Sequence, residues 1–494
     1  MILLNLDRGS KTPLFQQVYT QLKDLIERDT LKPGDNLPST RSLAEHLGVH
    51  RSTVYKAYEE LWALGYLDSR PGSYSTVRKK HDICTIEQRS PEAIIDWESA
   101  TSPNADRLHR LFNDFRYHWW GETDDDVIDM GGLCPDSRLF PVDEYRKCLN
   151  RALLEDGPNL LKYGECEGYR PLREYIAQRL RVHGVSISWE EILITNGAQD
   201  GLDLIMKMMA KPDCRVFLES PTYALALPIL RYYDAEIVGI PMEETGINLD
   251  VLEKELRKGP PIFLYTMPNF HNPTGITTFQ SHREELLSIC ERYRVPLVED
   301  AFEEEMKYCG KVPLPIKSMD KNQIVIYLGS FSKVLFPGIR IGWIAASRAC
   351  IQRMAALKRF NDISMCTPVQ AALADFCWQG HYEHHINRMH RIYRKRLQTA
   401  VDAMKKYVTR EKVTWIEPNG GYVLWVCLED IHVDDVTLHQ NFVQRGVRVA
   451  FGKVFFPKPV KKTYLRLSIA SLNEEEIVQG IRRLGKAVQQ IYGE

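Results

Sequence analysis

The first 77 residues carry apolar side chains at the spacing of short amphipathic helices. From Pro13 to Glu27, the apolar face of one predicted helix is formed by Leu14, Val18, Leu22, Leu25 and Ile26. After a Pro33-Gly34 turn, a second short helix is expected between a cap at Ser39 and a stop at Gly48, and a third from Arg51 to about Leu64. Two short helices separated by a glycine-containing turn predict a helix-turn-helix.

The pattern changes after about residue 110, where short apolar runs alternate with helical segments. The strand-like runs begin at Ile192, Arg215, Ile262, Val295 and Ile324. This alternation predicts an α/β domain with a largely parallel sheet. The polar, weakly periodic residues 78–108 are interpreted as a linker. We therefore expect a multidomain chain with an N-terminal domain over 1–77 and an α/β domain over 109–494, whose smaller C-terminal α/β subdomain covers about 385–494.

Composition limits the classes of function. A chain of 494 residues is too long for one core of ordinary size. Its net charge of -1 confines any nucleic-acid-binding surface to a local patch. The eleven cysteines form no C-x-x-C pair and no zinc-spaced cluster, which favours reduced thiols and no metal. No stretch approaches the roughly 20 apolar residues of a membrane span, so we expect a cytoplasmic protein without a membrane partner.

The predicted helix-turn-helix indicates where DNA would be contacted. In such a motif the second helix enters the major groove by its N-terminal residues, here His50, Arg51, Ser52, Thr53 and Tyr55. Arg41 begins the preceding helix and is expected to reach the DNA backbone. The Arg70-Pro71-Gly72 turn predicts a wing whose Arg70 and Gly72 approach a phosphate or the minor groove. The alternative is a helical appendage whose charges form a solvated face.

The N-terminal domain resembles a known family. Pro13 through Val77 closely resembles the winged-helix domain of GntR-type bacterial regulators, through Leu31-Lys-Pro-Gly-Asp-Asn-Leu-Pro-Ser-Thr-Arg-Ser-Leu-Ala and Gly65-Tyr-Leu-Asp-Ser-Arg-Pro-Gly-Ser. This resemblance implies a double-stranded DNA operator as partner. The chain departs from the family at His50, where serine is usual, and in the wing at Ser73-Tyr74-Ser75. The operator sequence is therefore not transferable.

A second set of residues indicates a cofactor. Ser330-Phe331-Ser332-Lys333 directly follows an apolar strand, and Arg340 lies seven residues after the lysine. A lysine at a strand end can form a Schiff base with an aldehyde, while two hydroxyls and a guanidinium can bind its phosphate group. Pyridoxal 5'-phosphate (PLP) has both parts. The sequence therefore predicts that Lys333 is the catalytic lysine of a PLP site to which Ser330, Ser332 and Arg340 also contribute.

Other residues complete this predicted cofactor site. Gly197, Ala198 and Gln199 stand at a strand-turn-helix junction, where backbone amides point at an anion. Tyr223 is expected to stack on the pyridine ring, and Asn272 to bond its hydroxyl. Asp300 closes a strand and is expected to pair with the protonated ring nitrogen. Taken singly, each of these three residues is better interpreted as structural: Tyr223 as core packing, Asn272 as a turn residue and Asp300 as a surface acid or helix cap.

Their order along the chain resembles that of the fold-type I aminotransferases over about residues 125–490. The resemblance implies a fold-type I PLP-dependent transferase domain and a homodimer. It also implies that Arg466, in Tyr464-Leu-Arg-Leu-Ser, grips the carboxylate of a substrate or effector, as a planar guanidinium fork can. The Gly131-Gly132 turn and the Tyr163 to Arg173 segment are similar to the family as well, and in its dimers loops of this region reach the neighbouring subunit's pocket.

The joined halves resemble the MocR subfamily of GntR regulators over essentially the entire chain. This resemblance implies a PLP-dependent regulator that senses a small amino compound, or PLP itself, through aldimine chemistry at Lys333. Two alternatives stay open. Pro268-Asn-Phe-His-Asn-Pro-Thr-Gly and Gly329-Ser-Phe-Ser-Lys are close to working aminotransferases of the aminoadipate and kynurenine kind, which favours turnover. The other alternative is a DNA-binding protein whose large domain serves only as a dimerisation scaffold.

One departure weighs against turnover. Related pockets place a tyrosine two or three residues after the aspartate, where this chain has Phe302 and Glu303. Loss of that hydroxyl donor is expected to change the proton affinity and reactivity of the lysine-bound cofactor. We therefore expect cofactor binding to survive better than catalysis.

Overall fold

A computed structural model describes residues 3–10, 12–68, 74–78, 95–119, 126–302, 305–308, 313–408, 411–431 and 433–493. The chain divides into two compact units, Met1–Asp96 and Trp97–Glu494. Within the described ranges, no helix has the length and apolar character needed to cross a membrane. The cysteines in those ranges are free thiols.

The first unit is a winged helix-turn-helix. Its elements are α1 (Leu14–Glu27), α2 (Thr40–Leu47), α3 (Arg51–Ala63) and the antiparallel pair β1 (Leu67–Asp68) and β2 (Thr76–Val77). The predicted ends of α2 are confirmed, because Ser39 Oγ accepts a hydrogen bond from Ser42 N at 3.1 Å and Gly48 adopts a left-handed conformation with φ 60°. The predicted wing residues Arg70 and Gly72 lie outside the described ranges.

A small hydrophobic core holds the three helices together. The buried apolar side chains include Val18, Leu22, Leu43, Val54, Leu61 and Leu67. Val18 and Leu22 belong to the apolar face predicted for α1. Burial of that face fixes α2 and α3 on α1 and leaves the N-terminal end of α3 at the surface.

The second unit is built on a large mixed sheet. Its strands are β4 (Ile192–Thr195), β5 (Arg215–Ser220), β6 (Glu236–Glu243), β7 (Gly246–Ile247), β8 (Phe263–Thr266), β9 (Leu297–Asp300), β10 (Val325–Ser330) and β11 (Gly342–Ala345). Their spatial order is β4-β11-β10-β9-β8-β5-β6-β7. Only β11 and the edge strand β7 run antiparallel to their neighbours. The predicted largely parallel sheet is therefore confirmed, and β4, β9 and β10 end at the same edge.

The helices of the second unit are α4 (Trp97–Ala100), α5 (Pro103–Trp119), α6 (Val142–Leu160), α7 (Arg170–Val182), α8 (Ala198–Met209), α9 (Ala226–Tyr232), α10 (Leu249–Lys258), α11 (Gln280–Tyr293), α12 (Ile316–Met319), α13 (Arg348–Asp362), α14 (Thr367–Trp378), α15 (His381–Tyr407), α16 (Asp435–Gln444) and α17 (Glu474–Ile491). Of these, α8 to α12 connect strands of the large sheet. Buried side chains of the central strands contact helices on both faces, which explains why those strands are apolar throughout.

A smaller antiparallel sheet lies in the C-terminal part, in the order β12 (Val413–Trp415), β13 (Val423–Leu428), β16 (Thr463–Ser468), β15 (Ala450–Phe451). A separate parallel pair joins β3 (Ile128–Asp129) to β14 (Val447–Arg448). The backbone amide of Ser468 donates to Met130 O at 2.7 Å. Residues near 130 are thereby held against the C-terminal subdomain, although they precede it by some 300 residues in the chain.

The expected linker 78–108 differs from the structure at its C-terminal end. Helices α4 and α5 begin within it, at Trp97 and Pro103. Ser102 Oγ accepts a hydrogen bond from Ala105 N at 3.3 Å, and Pro103 suits the first helical position. Arg107 then pairs with Asp234 at 2.7 Å, which docks α5 on the α/β unit. The Ser-Pro pair was the sequence feature that marked this helix start.

Candidate functional site

The predicted cofactor residues meet around one cavity of about 430 Å³ at the carboxyl edge of the large sheet. Its lining also includes Arg466, which was predicted to bind the carboxylate of a substrate or effector, and it includes all ten predicted cofactor residues: Gly197, Ala198, Gln199, Tyr223, Asn272, Asp300, Ser330, Ser332, Lys333 and Arg340. The wall is completed by residues that were not predicted as site residues: Asp129, Gly131, Gly132, Leu133, Cys134, Leu225, Phe302 and Pro337. We call this space the cofactor cavity.

One end of the cofactor cavity is suited to an anion. Helix α8 begins there after Gly197, whose φ of +90° favours glycine. A Cβ atom at position 197 would lie 3.0 Å from Arg340 Nη2, so the glycine also lets the guanidinium approach the helix start. Arg340 donates to Asn196 O at 2.6 Å. Backbone amides, a guanidinium and the Ser330 and Ser332 hydroxyls therefore converge where a phosphate would be bound.

A buried carboxyl lies elsewhere in the same cavity. Asp300 is 4% exposed at the end of β9. Burial raises its pKa to about 6, although a hydrogen bond from the Tyr265 hydroxyl to Oδ2, at 2.5 Å, acts in the opposite direction. Its second oxygen, Oδ1, is buried without a hydrogen-bond partner among the described residues. An unsatisfied buried carboxylate oxygen that lines a cavity is matched by a cationic N–H donor on a ligand.

The raised pKa of Asp300 makes stability depend on pH. An ordinary aspartate has a pKa of about 3.9, so between about pH 4 and pH 6 the unfolded chain loses this proton while the folded chain keeps it. The cofactor-free wild type should therefore lose stability relative to Asp300→Asn by about 2 kcal/mol between about pH 4.5 and pH 7.5. Urea unfolding at several pH values measures this difference. Asp250→Asn, at an exposed position of α10, is the control, and parallel pH profiles for wild type and Asp300→Asn would contradict the assignment.

Lys333 and Arg466 occupy the remaining polar positions. Lys333 is half-buried just after β10, and its Nζ donates to the backbone oxygen of Leu133. The Tyr422 hydroxyl donates to Lys333 O at 2.7 Å, which fixes the lysine backbone. Arg466 is 3% exposed and donates from Nη1 to Asn272 Oδ1 at 3.0 Å. Two cationic side chains are thus held at the cavity wall by neutral oxygen acceptors.

Several of these contacts had weak sequence signals. Asp129 Oδ1 accepts hydrogen bonds from the amides of Gly131 and Gly132 at 2.8 and 3.3 Å, an aspartate turn that its Asp-x-Gly-Gly spacing indicated. Tyr265, by contrast, is one residue of an apolar strand, and nothing local marks it as the partner of Asp300. Phe302 is 8% exposed and lines the cavity, while Glu303 lies outside the described ranges.

Most of the described residues that were predicted to contact DNA lie at the exposed start of α3, and Arg41 lies in the first turn of α2. Arg41, His50, Arg51, Ser52 and Tyr55 are exposed, and Thr53 is half-buried. His50 caps α3, because its Nδ1 accepts a hydrogen bond from Ser52 N at 3.4 Å. Arg51 donates to Thr40 Oγ1 at 3.3 Å, a contact that links α3 to α2. A guanidinium and an exposed aromatic ring are therefore presented at a helix N-terminus.

Fold and site together define a winged-helix DNA-binding module fused to an aminotransferase-like domain. Two family models match: bacterial regulatory proteins of the gntR family over residues 14–77, and aminotransferase class I and II over residues 129–484. The chain belongs to the MocR subfamily of GntR-type regulators, which carry an aminotransferase class I and II domain. The class I and II fold family is PLP-dependent.

Three similar proteins illustrate both sides of this family. The uncharacterized HTH-type transcriptional regulator YdfD of Bacillus subtilis is 29% identical over 97% of this chain and 97% of its own length. The probable rhizopine catabolism regulatory protein MocR of Rhizobium meliloti is 30% identical over 98% of this chain and 96% of its own length. The structure of LysN, α-aminoadipate aminotransferase from Thermus thermophilus, complexed with N-(5'-phosphopyridoxyl)-L-leucine, covers 81% of this chain and 99% of its own, with 30% identity and a TM-score of 0.73.

The residues of the cofactor cavity fit the group that this family uses. Ser332 Oγ and Asp300 Oδ1 are buried at the wall without hydrogen-bond partners among the described residues. These two atoms match the phosphate and the protonated ring nitrogen of PLP, respectively. No group of three or more histidine, cysteine, aspartate or glutamate residues in the described ranges is arranged to hold a metal ion.

Proposed function

We propose that this chain is a PLP-dependent transcriptional regulator that binds an operator through α3 and senses an amino compound in the cofactor cavity. The observation that carries the proposal is the convergence of all eleven predicted residues on that one cavity, in a chain that also presents a winged helix-turn-helix. An enzyme alone has no need of a DNA-binding module, and a scaffold alone has no need of this pocket.

When bound, PLP supplies an aldehyde that condenses with primary amines and a ring that withdraws electrons from them. The amides of Gly197 to Gln199, with Ser330, Ser332 and Arg340, would hold its phosphate. Tyr223 would cover the ring, and Asn272 would bond its hydroxyl. Asp300 would hold a proton on the ring nitrogen, because an ion pair favours the ionised carboxylate that burial alone disfavours.

The amino compound would be recognised at the other polar positions. Lys333 would hold the cofactor until a free amine takes its place, and the released Nζ would then be available to move a proton. Arg466 would bind a carboxylate on that compound, with a guanidinium fork fixed by Asn272 and by Gly131 O at 2.6 Å. The effector class that this arrangement favours is a primary amine bearing a carboxylate.

A homodimer is part of the proposal. Leu154, Leu161, Tyr163 and Phe360 are 86%, 74%, 81% and 93% exposed. Leu154 lies in α6, Leu161 and Tyr163 follow α6, and Phe360 lies in α13. The segments that follow these two helices are joined by a hydrogen bond from Gly164 N to Ser364 Oγ at 3.3 Å. A second copy would cover this exposed apolar patch, and two winged helices would then read two half-sites of an operator.

The experiment follows DNA affinity and product formation together. A duplex selected by the full chain from a random-sequence pool is titrated with PLP-loaded protein, alone and with a panel of amino compounds. We expect two chains per duplex and one compound that changes the affinity by about 5- to 150-fold, because coupling between sites is typically of that size. Assay of the same mixtures with a 2-oxo acid should show no sustained product.

Three outcomes would contradict the proposal. A compound that occupies the cavity but leaves DNA affinity unchanged would exclude sensing, since an effector acts only through a difference in affinity between states. Sustained product with unchanged DNA affinity would make the chain an enzyme first. A protein that takes up no PLP would reduce the large domain to a scaffold.

Transamination is the second candidate function. It is favoured by the similarity to LysN over 99% of that structure and by a cavity that contains a lysine, an aspartate and a carboxylate-binding arginine together. Lys333 would then act as the general base that moves the proton between carbon atoms. Phe302 in the cavity wall brings no hydroxyl, so this candidate requires Asn272 alone to hold the ring hydroxyl.

A further inference from the structure

The second unit contains another cavity, of about 480 Å³, which we call the second cavity. Its wall is formed by Leu111 of α5, by Ala224, Leu227 and Arg231 in and before α9, and by residues within 434–436 and 451–459 that include Phe456. The described lining residues of the two cavities have no member in common. Its volume falls in the range of small-molecule sites.

The second cavity combines apolar walls with one poorly compensated cation. Arg231 is half-buried, and its nearest described acceptor is the neutral oxygen of Pro457, 3.5 Å from Nη2. Burial lowers the pKa of its guanidinium, and the positive charge of Arg107 acts in the same direction. Arg107 is itself paired with Asp234. The local charge is therefore positive and would be stabilised by an anion.

The two acids in the wall do not supply that anion. Asp434 caps α16, where its Oδ1 accepts hydrogen bonds from the amides of Val436 and Thr437, each at 3.0 Å. Asp435 lies in the first turn of the same helix, where a carboxylate is stabilised by the helix dipole. Lys453 and Lys458 are exposed and add positive charge at the rim.

The wall between the two cavities is one short segment. Tyr223 and Leu225 line the cofactor cavity, while Ala224 between them lines the second cavity. The segment is tied to the opposite wall by a hydrogen bond from Thr222 N to Phe455 O at 2.8 Å. Leu111 belongs to α5, which lies in the first part of the second unit. An occupant would thus contact both Ala224, the chain neighbour of Tyr223, and helix α5.

We propose that the second cavity binds an aliphatic carboxylate, with the apolar chain against Leu111, Leu227 and Phe456 and the carboxylate on Arg231. A carboxylate is favoured over a phosphate because a single guanidinium fork balances one negative charge and two oxygens. The site is separate from the proposed cofactor chemistry, so its ligand binds whether or not PLP is present.

Octanoate is the probe, and calorimetric titration of the full chain, with and without added PLP, is the measurement. We expect one octanoate per chain. Arg231→Gln should weaken binding by about tenfold or more, as expected when a hydrogen-bonded charged group loses its partner. Leu111→Trp should block binding by filling the cavity, and Lys333→Ala should leave it unchanged. Arg391→Gln, an exposed position on α15 outside both cavities, is the matched control.

The proposal is overturned if wild type does not bind octanoate, if 1-octanol binds equally well, or if Arg231→Gln binds as tightly as wild type. Competition between octanoate and PLP, or loss of octanoate binding in Lys333→Ala, would place the ligand in the cofactor cavity instead. Should Arg231→Gln fail to fold, Leu111→Trp and the octanol comparison still decide the result. Failure of the regulator proposal would not affect any of these measurements.

Discussion

Replacing Lys333 by alanine should abolish the visible absorbance band that forms when PLP is added to the wild-type chain. The band requires a covalent bond between a protein amine and the aldehyde, and Lys333 is the lysine that lines the cofactor cavity. Borohydride reduction followed by mass spectrometry should find the pyridoxyl group on Lys333 in wild type. In Lys333→Ala no modified residue should appear at this site.

The variant should nevertheless retain noncovalent binding of PLP. Asp300, Arg340 and the amides at the start of α8 are unchanged in this variant, and they can still hold the ring nitrogen and the phosphate. The backbone at position 333 stays anchored by the Tyr422 hydroxyl. Lys211→Ala, at an exposed position, is the control and should keep the full band. A band that survives in Lys333→Ala would assign the chemistry to another amine and remove the basis of the proposed function.

The sequence predicted the large sheet and the grouping of the cofactor residues because both depend on strand ends. Asp300 and Ser330 are the last residues of β9 and β10, which lie side by side and parallel. Carboxyl ends of parallel strands meet at one edge, so residues about 30 positions apart in the chain were expected together. The convergence of Gly197 at the end of β4 follows from the same rule.

Other contacts were outside the reach of local patterns. Tyr265 faces Asp300 because β8 and β9 pair in a register that places Tyr265 beside Val298, and no feature near Tyr265 in the sequence specifies that register. Leu133 reaches Lys333 across 200 residues. The second cavity is likewise formed by segments that are distant in sequence. Taken one at a time, the residues of its wall have the sequence pattern of ordinary helices and loops.

The predictions for the ends of α2 and for the linker show where the rules for helix capping succeed and where they were not applied. Ser39 and Gly48 marked α2 correctly, since a serine cap and a left-handed glycine act within one turn of the chain. The same rule applied to Ser102-Pro103 predicts α5, but the polar composition around it favoured a linker. A polar composition indicates that a segment is exposed to solvent, but an exposed segment can still form a helix. Helix α5 docks on the α/β unit through hydrogen bonds of Asn104 with Tyr232 O and of Arg107 with Asp234.

Replacing Arg51 by alanine should weaken binding to the selected duplex by about 5- to 150-fold, the cost of losing one base-contacting arginine. Arg51 is exposed at the start of α3, where the helix would enter the major groove, and its described side-chain bond is a 3.3 Å contact with a neutral hydroxyl. Fluorescence anisotropy at several salt concentrations measures the effect. Arg28→Ala is the matched control, because it removes the same charge from an exposed position just after α1.

The salt dependence distinguishes what Arg51 contacts. If it reads a base, affinity for the selected duplex falls while affinity for unrelated DNA changes little and sequence preference is relaxed at one position. If it contacts a phosphate, affinity falls for all sequences and the slope of log K against log salt decreases by about one. Equal binding by wild type, Arg51→Ala and Arg28→Ala would show that α3 is not the recognition helix. Because the net charge of the chain is only -1, a general basic surface does not explain a loss confined to Arg51.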